Sequence, residues 1–249
     1  MAGRLGIIDW GIGGVSIYRL VKERIGDVPV TYFSDTGATP YGKLPRRELA
    51  ERLDDVIRYL TRGGVTHVVI GCNAASTAIP DLSDHDTPIE GVIEPAIRLT
   101  AGLSPARLGV IGGRRTVTSG AYRKGFTARG IAVKQRIAQP LSALIESGDV
   151  DSEELRSAAG KILGPLRNCS HILLACTHYP AVKGVLQELV SAETHFVDPA
   201  SEMIEIIRRW RLPHTGSDVF LTTGDARAMR SSAAKAFGVT IAEVTTISI

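Results

Sequence analysis

Residues 46–75 read RRELAERLDDVIRYLTRGGVTHVVIGCNAA, and this stretch decides the fold. From Arg46 to Thr61 the apolar residues Leu49, Leu53, Val56, Ile57 and Leu60 recur on one face, the spacing of an amphipathic helix. His67–Ile70 then forms a short, nearly continuous apolar run, which is how a strand buried on both faces reads. The run stops at Gly71-Cys72, so a thiol stands at a strand end.

The same alternation extends outward in both directions. Leu5–Ile8, Val30–Phe33, Arg107–Ile111, Ile131–Gln135, His171–Ala175, His195–Val197 and Val219–Thr222 read as strands, and Ser152–Leu166 and Tyr179–Val190 as further helices. Strands separated by helices predict a parallel α/β sheet. The strand runs end at Asp9, Asp35, Cys72, Gly112, Cys176 and Asp198. Ligands of open α/β sheets bind beyond the carboxyl ends of the strands, so these are the positions to search for chemistry. Pro, Gly and Ser gather between Pro95 and Pro105, which marks a domain boundary.

Composition narrows the class. The 249 residues are 44% hydrophobic and 22% charged, with a formal net charge of +3. Such a chain can bury a core without staples and is not intrinsically disordered. Aromatics make up only 5% and no basic stripe interleaves with them, which argues against a nucleic-acid partner. No apolar run approaches the roughly 18 residues of a membrane span, and the N-terminal residues read as a first strand, not a signal peptide. Cys72, Cys169 and Cys176 are an odd, sparse set without CxxC spacing, so neither a disulfide framework nor a structural zinc site is expected. Reduced thiols fit a cytoplasmic protein.

Two segments echo each other. Val68-Val69-Ile70-Gly71-Cys72-Asn73 and Ile172-Leu173-Leu174-Ala175-Cys176-Thr177 each join an aliphatic strand, a small residue, a cysteine and a polar residue. The pattern points to two similar halves, each with a thiol at a strand end. Two thiols facing across a cleft can take a proton from one face of a carbon and return one to the other, which inverts the centre. Two readings stay open on spacing alone: a paired acid and base, or two small buried core residues. Asp9 and His178 near the same strand ends can hold or tune a thiol proton, and either is equally at home as a cap or a structural hydrogen-bonder. The run Gly11-Ile12-Gly13-Gly14 lacks the third glycine of a dinucleotide fingerprint. It and Pro40-Tyr41-Gly42 can still present backbone N–H groups to an anion, or be plain turns.

With these motifs in place the chain resembles the glutamate racemases of the aspartate/glutamate racemase superfamily, nearly end to end. The resemblance rests on Ile8-Asp9 with Gly11, Gly13 and Gly14, on Asp35-Thr36 with Pro40-Tyr41-Gly42, and on Gly71-Cys72-Asn73. It continues through Glu94-Pro95, Val110-Ile111-Gly112, Thr116, Ser119-Gly120-Ala121-Tyr122 and Leu144-Ile145-Glu146-Ser147-Gly148. It closes on Ala175-Cys176-Thr177-His178-Tyr179-Pro180, Val197-Asp198 and Thr222-Thr223-Gly224-Asp225.

The resemblance implies two similar α/β domains with mostly parallel sheets and the active site in the cleft between them. Residues 1–97 with about 207–249 would form the first domain and 98–206 the second. It implies racemisation of glutamate without a cofactor or metal, supplying D-glutamate for peptidoglycan. Cys72 and Cys176 would be the two bases, assisted by Asp9, His178 and Glu146. Asn73, Thr116, Thr177 and the Pro40, Tyr41 and Gly42 backbone would hold an acidic amino acid, and the chain would pair as a homodimer.

Three positions depart from the pattern. Trp10 and Ala74 line the expected substrate site where the family carries Ser and Thr, and Gly113 replaces a further Thr ahead of Arg114 and Arg115. Each lost hydroxyl removes a partner worth about 1–3 kcal/mol in a buried polar site. These changes keep an alternative open: a sister racemase or isomerase for aspartate or a modified acidic amino acid, with Arg114 or Arg115 supplying a charged fork.

Overall fold

The structure is a computed structural model and describes residues 3–249. Strands β1 (Leu5–Asp9), β2 (Val30–Ser34), β3 (His67–Ile70) and β4 (Ile89–Gly91) begin a first sheet. Strands β5 (Leu108–Gly112), β6 (Val133–Ile137), β7 (His171–Ala175) and β8 (His195–Val197) form a second. The chain then returns to the first sheet with β9 (Val219–Thr222) and β10 (Thr245–Thr246). The strand orders are β10-β9-β2-β1-β3-β4 and β6-β5-β7-β8, and all the pairings are parallel.

The first four helices are α1 (Val15–Arg24), α2 (Arg46–Arg62), α3 (Asn73–Ser76) and α4 (Ile93–Gly102). Next come α5 (Arg114–Thr118), α6 (Ala121–Thr127), α7 (Gln139–Glu146) and α8 (Glu153–Leu163). The last three are α9 (Lys183–Glu188), α10 (Ala200–Arg209) and α11 (Ala226–Phe237). Helices α1, α10 and α11 cover one face of the first sheet, through Val15, Ile17, Met203, Ile207, Met229 and Phe237. Helix α2 covers the other with Leu49, Leu53, Val56, Ile57 and Leu60. The central strands are therefore buried on both faces: every residue of β1 and β2 is buried, as is every residue of β5 in the second sheet. Each buried Leu, Ile or Val contributes about 1.5–3 kcal/mol of burial free energy, which is why continuous apolar runs marked the strands.

Topology places the chemistry. From β1 the chain moves to β2 on one side, whereas from β3 it moves to β4 on the other, so the connections diverge between β1 and β3. The second sheet repeats this: β5 leads to β6, and β7 leads outward to β8. Such divergence opens a crevice at the carboxyl ends of the central pair. Asp9 and Cys72 follow from β1 and β3, and Gly112 and Cys176 from β5 and β7. The two cysteines occupy equivalent places in their sheets.

Several expected bounds shift. Tyr179–Val190 is not one helix: Tyr179–Val182 is a 3-10 turn, with Pro180 at its start, and α9 follows. Ser152 is the N-cap of α8, its hydroxyl accepting from the Leu155 N–H, and Gly164-Pro165 converts the helix end into a 3-10 turn. β6 runs two residues beyond the expected end at Gln135. β4 and β10 carry too few apolar residues to be read as strands, and they form as edges against β3 and β9. Pro95 lies inside the first turn of α4, where its missing N–H costs nothing.

Candidate active site

The carboxyl ends of both sheets face one cavity of about 480 Å³. Cys72 and Cys176 both line it, with Asp9, Glu146 and His178. So do the other residues expected at the substrate: Trp10, Pro40, Tyr41, Gly42, Asn73, Ala74, Thr116 and Thr177.

Around Cys176 the arrangement is a thiol, an imidazole and a carboxylate in line. His178 Nδ1 lies 3.6 Å from Cys176 Sγ, and its Nε2 lies 2.6 Å from Glu146 Oε2. His178 is buried, which opposes a charge on the ring. The sulfur on one side and the Glu146 carboxylate on the other outweigh that, and they raise the imidazole well above its ordinary value of 6.5. Both neighbours thus favour the charged form of the ring.

Glu146 ends α7 in the second sheet's layer, and its Oε2 also accepts the backbone N–H of Ile12 at 3.0 Å. The glycine run that opened as an anion-binding turn or a plain turn is therefore the former, and its anion is a side chain of the same molecule. A Cβ at Gly11 would collide with the Glu146 carboxylate, and one at Gly13 with Thr177 Oγ1 and His178 Nδ1. Glycine is required here by the close approach of the two layers. Tyr32 fixes the run from below, its hydroxyl donating to the Gly11 carbonyl at 2.8 Å.

The surroundings of Cys72 differ. Burial, the Asp9 carboxylate and Cys176 all push its thiol well above the usual 9.0, and the backbone N–H groups of Ala75 and Ala74 offset this only in part. Cys72 is therefore held as a neutral thiol. Asp9 is itself buried, which raises its carboxyl against the opposing pull of His178 and of the Gly11 N–H. Its Oδ2 accepts from the Thr177 hydroxyl at 3.0 Å, so the expected helper of the first thiol is tied to the loop that carries the second.

Asn73 and the loop after β2 complete the walls. Asn73 Oδ1 accepts from the Tyr122 hydroxyl at 2.6 Å, which fixes the amide so that its Nδ2 is a buried donor with no partner among the described residues. Such a donor is costly unless something accepts from it. Tyr41 donates its hydroxyl to Asp35, which Arg52 holds with a two-pronged ion pair. Trp10 donates its indole N–H to the Ala38 carbonyl at 3.1 Å, and its ring lines the cavity while also packing on the α2 side of the core.

Lys43, Gln139, Ser142 and Ala143 also line the cavity and were not singled out from sequence. Gln139 stands just past β6; with that strand placed too early, its carboxyl end fell before the residues that matter. Arg114 and Arg115 both border the cavity. Cys169 is buried in the second sheet's core, away from it. Among the described residues no group of three or more His, Cys, Asp or Glu side chains is arranged to hold a metal ion, and no helix is long and apolar enough to cross a membrane.

Two parallel sheets closing on one cavity, with a thiol at the divergence point of each, make this an α/β protein with a paired-thiol site. A family model described as Asp/Glu/Hydantoin racemase matches residues 5–207, and the chain belongs to that family. Among its relatives, glutamate racemase from Synechococcus sp. (strain CC9605) is 36% identical over 79% of this chain and 75% of its own length. The glutamate racemase of Mycobacterium tuberculosis (strain ATCC 25177 / H37Ra) is 31% identical over 94% of this chain and 92% of its own. A crystal structure of glutamate racemase from Thermus thermophilus in complex with Beta-chloro-D-alanine superposes with a TM-score of 0.88. It is 29% identical and covers 100% of this chain and 98% of that one.

Proposed function

We propose that the protein interconverts L- and D-glutamate without a cofactor, with Cys72 and Cys176 as the two acid/base groups. The observation that carries this is the pair of thiols on opposite walls of one cavity, in unlike protonation environments. The His178 ring lies 3.6 Å from the Cys176 sulfur, while burial and Asp9 push the Cys72 thiol well above 9.0. Cys176 takes the α-proton as its lone pair forms the new S–H bond, and the C–H pair stays on the α-carbon. Cys72 then gives its proton to the opposite face, leaving a thiolate. For the other enantiomer the roles exchange. Glu146 orients His178, and Asp9 modulates Cys72 and holds the Thr177 loop. Asn73 Nδ2, Thr177 and the Gly42 backbone hold the substrate's carboxylates, with Thr116 behind them.

Relatives named glutamate racemase at 31–36% identity over most of the chain support this substrate. D-Glutamate made in this way serves peptidoglycan synthesis, a cytoplasmic role, and the chain acts as a homodimer. A second reading, racemisation of aspartate or a modified acidic amino acid, is favoured by one observation. Trp10, Ala74 and Gly113 present an indole, a methyl and bare backbone to the cavity where the family pattern has hydroxyls.

The test is α-proton exchange followed by NMR in deuterated water with each enantiomer of glutamate and aspartate. Glutamate exchange and inversion are expected. Cys72→Ser and Cys176→Ser should each abolish inversion, and each should keep slow exchange with one enantiomer only. Absence of exchange with every acidic amino acid would overturn the proposal.

A further inference from the structure

Arg115 sits in α5, in the second sheet's layer, yet its guanidinium reaches the loop that follows β2 in the first. Its Nε donates to the Tyr41 carbonyl at 3.0 Å, and Nη2 donates to the Leu44 carbonyl. The two carbonyls converge on one edge of the guanidinium because the loop is a tight turn, closed by the Lys43 N–H on the Pro40 carbonyl at 2.7 Å. The base of the arm is fixed as well, since the Arg114 N–H at the start of α5 donates to Gln139 Oε1 at 3.1 Å. Tyr41 is anchored from its own layer through its hydroxyl on Asp35. Its peptide group is therefore held from both sides of the cavity.

The geometry of a trans peptide gives this contact a consequence. The Tyr41 carbonyl and the Gly42 N–H belong to one plane and point in opposite directions. A donor fixed on the carbonyl therefore sets the direction of the N–H. Gly42 lines the cavity. Burial lowers the Arg115 guanidinium somewhat, but the group stays charged at any working pH, so the contact does not switch off. A planar fork can bridge two carbonyls side by side in a way that an ammonium cannot.

We propose that Arg115 is a positioning residue that clamps the Pro40–Leu44 turn across the cavity, closing its mouth over Cys72 and fixing the plane of the Tyr41–Gly42 peptide at the substrate site. The effect on substrate binding rests on the glutamate reading above; the clamp itself does not. Arg115 touches no substrate atom in this role and acts through the turn.

The test compares the full-length protein with Arg115→Ala and Arg115→Lys. Without substrate, alkylation of Cys72 by iodoacetamide, read peptide by peptide, is expected to quicken about fivefold or more in Arg115→Ala as the mouth opens. With glutamate, KM is expected to rise about tenfold while kcat stays within about threefold, because binding common to ground and transition states is lost. Millimolar ethylguanidine should restore part of the KM in Arg115→Ala, and Arg115→Lys should recover little. Unchanged Cys72 alkylation and unchanged KM would overturn the proposal. So would a fall in kcat accompanied by a lowered melting temperature and no rescue by ethylguanidine, which marks a merely structural arginine. If the wild-type protein fails to turn over glutamate, the substrate reading falls, and the alkylation comparison still decides the clamp.

Discussion

Glu146 Oε2 receives two donors from opposite layers of the molecule: His178 Nε2 at 2.6 Å and the Ile12 backbone N–H at 3.0 Å. One carboxylate oxygen thus orients the imidazole beside Cys176 and pins the glycine run of the first sheet. Cys176 first, and then this carboxylate, raise the His178 imidazole. With the folded value of His178 raised above 6.5, folding takes up a proton at this site. The stability it contributes is complete below about pH 6.5 and is lost as pH rises through the folded value. The melting temperature of the wild type should therefore fall as pH is raised from 6.5 to about 9, and the Glu146→Gln variant should show less of that fall. Thermal unfolding across a pH series checks this. The same variant should lose about 10²–10⁴ in kcat, the range for disabling a proton-transfer group.

The neutral thiol of Cys72 has its own signature. Its alkylation rate should keep rising past pH 9.0, because burial, Asp9 and Cys176 all resist its ionisation. Replacing Asp9 with Asn removes one of those negative neighbours, so the inflection should move down. A peptide-resolved pH–rate profile reads both. A Cys72 profile that levels off below pH 8 would contradict the assigned environment.

Gly11→Ala and Gly13→Ala test the seam between the layers. Each new methyl meets side chains of the candidate site: Glu146 in the first case, Thr177 and His178 in the second. Overpacking of this kind costs about 1–3 kcal/mol of stability. Because the displaced atoms belong to the proposed catalytic and substrate-holding set, kcat should fall about 10²-fold or more, well beyond what the stability change explains. Activity at a temperature where both variants stay folded separates the two effects.

Trp10→Ala opens the cavity at the position where the indole stands against Ala38. The enlarged wall should admit methyl-substituted glutamates, shifting kcat/KM toward them by roughly 1–3 kcal/mol per added methyl. Competition assays with a mixture of glutamate and its methyl derivatives measure the shift. No change in preference would mean that the ring serves packing alone.

Much of this was legible in the chain before any coordinates. The bounds of His67–Ile70, His171–Ala175, His195–Val197 and Val219–Thr222 agree with the sequence reading because short, nearly continuous apolar runs are interrupted only where the strands end. The echo around Cys72 and Cys176 located both thiols, since equivalent strands of two sheets put their ends at equivalent places. What stayed hidden was long-range. Nothing near Gly11 in sequence says that Glu146, far along the chain, will need the space of its missing side chain. Arg115 likewise looked like a candidate ligand for substrate, because the two carbonyls it meets belong to a turn more than seventy residues away. β4 and β10 form because a neighbouring strand offers them an edge, and short segments carry little period of their own.

The unlike settings of the two sulfurs carry a thermodynamic constraint. Mirror-image amino acids in water have identical free energies, so the equilibrium constant of inversion is one whatever the protein does. The ratio kcat/KM must then be the same in both directions. A histidine beside one sulfur and a buried carboxylate near the other can make the forward and backward turnover numbers unequal only if the Michaelis constants differ in the same proportion. Lopsided chemistry here redistributes speed against affinity and leaves the final mixture racemic.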